Sequence, residues 1–266
     1  MSPGPGAEDL SPDALADILP SRPIRSYPFL LSTGADAMAW ARAGAPEGAI
    51  VVADYQVSPR GRGGLEWTVR AGESLCFSMV LRPKLTPERE GWLYTVGGLG
   101  MSDLVGEGAT IEWPDEVRRE GRTVARVGVH AELGPASVEW AVLSVLLPGA
   151  LPPRGHLLAR AVSSIEGRYG ASEDESLREY IERCETLGRR VTARLIPLGP
   201  TGPRVGGLAT GAKLDGAIVI ETAPGTHVAV RPQSLGVLED EQPAAQSVPE
   251  SLASLLRRQR TDPSSA

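Results

Sequence analysis

The stretch Asp54-Tyr-Gln-Val-Ser-Pro-Arg-Gly-Arg-Gly-Gly-Leu-Glu-Trp67 sets two arginines among three glycines, directly after a run that reads as a buried strand. Glycine lets backbone N–H groups approach a ligand closely, and arginine offers a planar fork of donors matched to carboxylate or phosphate. An anion-binding loop is one reading; a solvated loop or an Arg-Gly-Gly contact to nucleic acid is another. The run is short and isolated, and the chain is acidic (Lys+Arg 27 against Asp+Glu 33, net charge -6), which counts against nucleic acid as a partner. A second group, Glu112-Trp-Pro-Asp-Glu116, gathers carboxylates around a Trp-Pro pair. Such oxygens suit a hard cation, and they equally suit an exposed polar turn.

Other familiar chemistry is missing. There is no GxxxxGK[ST] phosphate loop, no GxGxxG after a strand, no HExxH and no GxSxG. His130, His156 and His227 are far apart, and Cys76 and Cys184 are the only cysteines, so neither a cysteine-rich zinc module nor a disulfide scaffold is expected. Lys84 and Lys213 are the only lysines and asparagine is absent, so a mechanism needing lysine has two candidates and one needing asparagine has none. No apolar run spans a bilayer and residues 1–10 lack the order of a signal peptide, from which a cytoplasmic location without a membrane partner is expected.

The elements that must position these groups alternate strand and helix. Residues 1–22 are rich in Pro, Gly, Ser and Asp and are expected to be a mobile tail with one short helix, capped by Ser11 with Pro12 in its first position and Leu15, Ile18 and Leu19 as its stripe. Helices are predicted over 35–43 and 92–104, the second weakened by Gly97, Gly98 and Gly100, and over 172–187. The last carries a capping box of Ser172 and Glu175 and an apolar face of Leu177, Tyr180, Ile181 and Cys184. Strands are predicted over 49–54, 75–81, 110–113, 124–131 and 138–147. Past Gly188 the texture turns to short strands (191–196, 205–210, 217–221, 227–230) between Gly, Pro and Asp turns, as in a small β-barrel. Residues 239–266 are expected to form a second mobile tail, with Leu252, Leu255 and Leu256 at helical spacing within 249–260.

With these elements in order, the chain resembles the biotin protein ligases. That family carries Ser-Thr-Asn, a Gln, GRGRxGR with an aromatic after it, an NLxxSxxLRP strand, KWPND, KLAGILxE and VGIGLN. This sequence offers Ser32-Thr33-Gly34, Gln56, PRGRGGLEW (Pro59 to Trp67), ESLCFSMVLRP (Glu73 to Pro83), EWPDE (Glu112 to Glu116) and RCETLGRRV (Arg183 to Val191), over about residues 28–238. The resemblance implies an α+β fold: a ligase-like catalytic domain with a mixed sheet and helices over 23–187, and a small SH3-like β-barrel over 188–238. A winged-helix DNA-binding domain is not expected ahead of it.

Such enzymes activate biotin with ATP to biotinyl-AMP and pass the acyl group to a carrier lysine, usually with Mg²⁺. The resemblance therefore implies biotin, ATP and Mg²⁺ as ligands and a biotin carboxyl carrier domain as partner, for a monomer or homodimer. Carried over by residue, Ser32, Thr33 and Gln56 would bond the biotin ring or its neighbourhood. Arg60 and Arg62, with Gly61 and Gly64, would close over the acyl phosphate. Trp67 would support the adenine side, Trp113 and Pro114 would floor the nucleotide, and Asp115 and Glu116 would offer metal oxygens. The Ser32-Thr33 pair reads equally as a helix N-cap, and Arg62 as a solvent-exposed loop cation.

The departures fall where the chemistry is. Gly34 replaces the Asn, Pro59 the first loop Gly, Glu112 the Lys before WPND and Asp115-Glu116 the Asn-Asp pair, while Trp140-Ala-Val-Leu-Ser-Val145 replaces the glycine-rich strand. The family lysine falls on Thr123 without a gap. With a longer loop it falls on Arg126, the register that also recovers Gly128 and Glu132, and Arg126 is then the expected catalytic cation together with Arg62. A guanidinium does not freely replace an ammonium. Two readings follow, an ATP-dependent acyl ligase with an altered site and a relative that binds an acyl compound, nucleotide or carrier without completing the reaction; amide formation on a small molecule is a third.

Overall fold

The computed structural model describes residues 8–199 and 201–240, so the helix expected over 249–260 lies outside the described residues. The elements are α1 (Pro12–Ile18), β1 (Ile24–Leu30), α2 (Thr33–Arg42), β2 (Ile50–Gln56), β3 (Ser74–Leu81), α3 (Trp92–Val105), β4 (Ala109–Glu112), β5 (Glu116–Arg119), β6 (Arg122–Leu133), β7 (Val138–Pro148), α4 (Gly155–Tyr169) and α5 (Glu173–Arg183). They are followed by β8 (Arg190–Leu195), β9 (Arg204–Ala212), β10 (Ile218–Ala223), β11 (Thr226–Val230) and β12 (Leu235–Asp240). A seven-stranded sheet has the order β1-β2-β3-β7-β6-β5-β4; β1 and β2 run parallel and the remaining neighbours antiparallel. The architecture is α+β with a mixed sheet. Among the described residues no helix is long and apolar enough to cross a membrane.

Strand alternation sends side chains to two different layers. Val51, Val80, Trp140 and Val142 pack under Ala37 and Ala41 of α2, while Phe77, Met79, Leu143 and Val145 face a larger core with α3 and α4. The glycines that weaken α3 as an isolated helix serve this packing. A Cβ on Gly97 would stand 2.7 Å from Val127, and one on Gly100 would stand 2.9 Å from the backbone of Ile165 in α4. Burial of the α3 face outweighs the intrinsic cost of glycine, of order 1 kcal/mol each.

The N-terminal helix forms as the capping signals predict, with the Ser11 hydroxyl accepting from Ala14 N at 3.3 Å. The segment from residue 8 onward is not a loose tail, however. Leu10 and Leu15 are each 1% exposed, and Asp9 pairs at 2.7 Å with Arg154, which is fully buried and also meets Asp54 at 2.7 Å. The composition of this stretch says nothing of a partner so distant in sequence. In α5, Ser172 sits at the N-cap without a side-chain cap bond, Ile181 is 40% exposed, and the helix ends at Arg183, short of Leu187. Helix α4 and strands β1, β5 and β12 were not predicted. The α4 stripe of Leu158, Ala161, Val162 and Ile165 is a helical repeat in plain view.

The expected C-terminal barrel is, in its hydrogen bonding, an open antiparallel five-stranded sheet of order β11-β10-β9-β8-β12. Short strands and turns at regular spacing fix neighbours but not closure. Its inner residues Val191, Ala193, Ala209, Ile218, Ile220 and Leu235 belong to the same apolar cluster as α3 and β6.

Candidate functional site

Two cavities share the Arg-Gly loop as a wall. The first, about 490 Å³, lies on the α2 face of the large sheet between the start of α2, the loop and strands β6 and β7. The register makes its floor: Gly128 pairs with Ser144 and His130 with Val142, so all four present one face to it. Leu31, Met38 and Val129 supply apolar walls.

Beneath that floor runs a chain of buried hydroxyls. Ser78 faces Ser144 across the β3–β7 ladder, and their Oγ atoms lie 2.8 Å apart. Ser78 donates to Thr33 Oγ1 at 2.9 Å, so its single proton is committed and Ser144 must donate to Ser78. That leaves the lone pairs of Ser144 as acceptors toward the cavity. Thr33 N in turn donates to Gln56 Oε1 at 2.6 Å, while Gln56 Nε2 is buried without a hydrogen-bond partner. Gly34 lies close beside this chain: a Cβ there would stand 3.2 Å from Ser144 Oγ, a tight contact that the serine must yield slightly to admit. Cys76 lies under the same layer, and burial pushes its thiol up to about 12, although the nearby polar side chains of Gln56 and Thr33 pull it down, so it is no nucleophile at neutral pH.

The loop is a tight hairpin in which the backbones of Arg60 and Glu66 pair in an antiparallel β-bridge, with Gly61 N donating to Leu65 O at 2.8 Å and Trp67 N to Pro59 O at 3.1 Å. The Trp67 ring fills the space under it against Cys76 and Leu146. Only glycine fits at 61, because a Cβ would lie 2.2 Å from the indole nitrogen. Arg60 is exposed and braces the hairpin through Ser58 Oγ (3.2 Å) and Gly64 O (3.3 Å); among the described residues no carboxylate pairs with it.

Arg62 takes the opposite course. It lines the second cavity, about 370 Å³, with Trp113, Pro114, Asp115, Glu116 and Gly236. Its side chain is 6% exposed; Nε stands 3.2 Å from Asp115 Oδ2, a charge contact off the hydrogen-bond axis, and Nη1 donates to the carbonyls of Leu235 and, at 3.4 Å, Gly236. Trp113 is fixed beside it, donating from Nε1 to Gly216 O and from its backbone N to Thr186 Oγ1, each at 2.9 Å.

The charges of the second cavity are paired internally. Arg118 contacts Glu112 closely and Glu116 and Glu185 at 3.4 Å; Arg189 meets Glu112 at 3.2 Å and also Asp240; Arg126 meets Glu116 at 2.6 Å. Thr123 donates to Glu116 at 2.7 Å, so both candidates for the family lysine position end on the same carboxylate. Burial raises the Asp115 and Glu112 carboxyls above the ordinary range, although Arg62 pulls the first down, and Arg118 and Arg189 the second. Asp115 and Glu116, the expected metal oxygens, are thus committed to guanidinium groups. Among the described residues no group of three or more His, Cys, Asp or Glu is arranged to hold a metal ion. The residues present do not fit magnesium.

Of the residues picked out in the sequence, Ser32, Arg60, Gly61 and Gly64 line the first cavity, and Thr33 and Gln56 lie behind its floor. Arg62, Trp113, Pro114, Asp115 and Glu116 line the second. Trp67 supports the loop from below, and Arg126 reaches the second cavity's wall through Glu116. Sequence reasoning missed Ser58, Ser78, Ser144 and Gly63, and it left His130 as a surface or hydrogen-bonded histidine. Alternation on two adjacent strands, Gly128/His130 beside Val142/Ser144, was the available signal.

No family-level sequence profile matches the chain. It is 30% identical over 201 residues to the biotin–[acetyl-CoA-carboxylase] ligase of Paracoccus denitrificans, covering 72% of this chain and 82% of the relative. It is 27% identical over 223 residues to the biotin–[acetyl-CoA-carboxylase] ligase of Mycobacterium tuberculosis, covering 74% and 82%. Its fold is similar to that of the Aquifex aeolicus biotin protein ligase in complex with biotin and ATP, with a TM-score of 0.64 at 21% identity over 82% of this chain and 99% of that one. Similarity at this identity and coverage is common descent: the chain belongs to the biotin protein ligase family.

Proposed function

We propose that this chain binds biotin, or a carboxylic acid of similar amphiphilic build, in the first cavity and activates it with ATP. The carrying observation is Arg60: a guanidinium with no carboxylate partner among the described residues, at the rim of a cavity with apolar walls and a hydroxyl floor. An acid's apolar body is accommodated by the walls, a polar N–H at its far end donates to Ser144, and its carboxylate reaches Arg60. The adenine nucleotide belongs in the second cavity across the loop, so that the acid oxygen attacks the α-phosphorus, the bond to the β-phosphate oxygen breaks and pyrophosphate leaves. An amine such as a carrier-protein lysine then attacks the acyl carbon and releases AMP. In this reading residues 23–187 form the catalytic unit and 188–238 an SH3-like unit that closes the second cavity. The Paracoccus and Mycobacterium relatives, named as ligases for acetyl-CoA carboxylase, support a biotin carboxyl carrier domain as acceptor.

A second reading, favoured by the paired arginines of the second cavity and the absence of either lysine from its lining, is a binder of the acid that does not adenylate it. Thermal shift and calorimetry with biotin, ATP and a non-hydrolysable biotinyl-AMP analogue separate the two when followed by a pyrophosphate-release assay, because ligands of the folded state raise its melting temperature. Biotin-dependent pyrophosphate release supports the ligase; binding of biotin without release supports the binder. Failure of all three ligands to bind rejects both.

A further inference from the structure

The second cavity carries its own anions. Among the described residues, four guanidiniums (Arg62, Arg118, Arg126, Arg189) meet five carboxylates (Glu112, Asp115, Glu116, Glu185, Asp240), so none of the four is left without a counter-charge. Among these, Glu112 is placed distinctively. It lines the cavity between Arg118 and Arg189, which line it too, and contacts both. Glu185 touches the same two arginines, at 3.4 and 3.9 Å, but is not part of the lining. A carboxylate engages a guanidinium fork in the same geometry as a phosphate does. We propose that Glu112 is a specificity-determining residue: its carboxylate holds Arg118 and Arg189 in place of a ligand phosphate, so the cavity takes an adenosine monophosphate ester in preference to a triphosphate. This rests on the reading that an adenine nucleotide enters the second cavity.

The cost structure supports it. A monophosphate ester brings less negative charge against Glu112 and leaves the Glu112 contacts standing. A triphosphate must displace Glu112 from both arginines, stranding a carboxylate that is 16% exposed, or else stand beside it as a like charge. Either way the penalty grows with the ligand's phosphate charge, so the device sorts ligands by charge and not by base.

Calorimetric titration of the full chain with ATP and with AMP, in wild type, Glu112→Gln and the charge-matched surface control Glu107→Gln, tests this. The expected result is tighter binding of AMP than of ATP by wild type, and a gain of about tenfold or more for ATP in Glu112→Gln with no more than about threefold for AMP. Glu107→Gln changes neither. Equal gains for the two nucleotides, or none for ATP, overturn the inference and leave the proposed function standing, since nucleotide still binds. No binding of either nucleotide to any of the proteins overturns both. Should Glu112→Gln lose its native circular dichroism, Glu112→Ser is read by the same criteria.

Discussion

Arg60 and Arg62 stand two positions apart and meet opposite fates. The first is exposed at the rim of the acid-sized cavity, and the second is sealed against Asp115 and the start of β12. Arg60→Ala is therefore expected to weaken biotin binding about three- to tenfold, the scale of a half-solvated charge contact, with the melting temperature unchanged; calorimetry and thermal shift read the two quantities. Arg62→Ala strands a buried carboxylate, and urea unfolding is expected to show a loss of about 2–4 kcal/mol. The sign of its pH dependence follows from Asp115. A carboxyl raised above its ordinary 3.8 binds a proton more readily folded than unfolded, so its contribution is fully present below that value and is lost as pH rises through the raised one. Without Arg62, the group that pulls it down, Arg62→Ala should lose more stability than wild type on going from acid to neutral pH; parallel pH profiles of the two proteins would exclude this. Both arginines were singled out from the Arg-Gly run as candidate ligand groups. Their division of labour was not, because the carbonyl that anchors Arg62 lies 173 residues further along the chain.

Elements were legible where their period is clean and their caps are local. The α1 signals and strands β2, β3, β4, β6 and β7 of the large sheet follow from neighbours in sequence. Helix α3 shows the limit: its glycines argue against helix locally, and only the crowding by Val127 and Ile165 explains them. The two roles of a helical glycine are separable by experiment. Gly100→Ala is expected to destabilise by about 1–3 kcal/mol through overpacking against α4. Gly167→Ala, on the open side of α4 with nothing within 4 Å of the added carbon, should stabilise by about 0.5–1 kcal/mol. Denaturant midpoints with unchanged slopes would establish both. The open C-terminal sheet and the anchored N-terminal segment escaped the sequence for one reason: each depends on partners across the fold, Arg154 for Asp9 and the apolar cluster under α3 for β8 to β12.

At the scale of the whole molecule, one apolar cluster runs from the large sheet into the C-terminal one, and Trp113 and Arg62 tie the two by hydrogen bonds to Gly216 and Leu235. The two sheets are expected to unfold together. Far-ultraviolet dichroism and tryptophan fluorescence should give coincident transitions, and a resolved second transition would show the C-terminal sheet melting alone. The two cavities differ in charge as well: the first has a loop cation at its rim and a polar floor, while the arginines lining the second are paired with carboxylates.

A single hairpin separating two cavities has a thermodynamic corollary. Arg60 and Arg62, which face different cavities, are joined by Gly61, beside which Trp67 leaves no room for a Cβ. If an acid in the first cavity changes the affinity for nucleotide in the second by some factor, linkage requires that nucleotide change the affinity for the acid by the same factor. The ratio of apparent affinities measured with and without the companion ligand must then be identical from either side, whichever is added first, and its logarithm gives the coupling free energy between the two cavities.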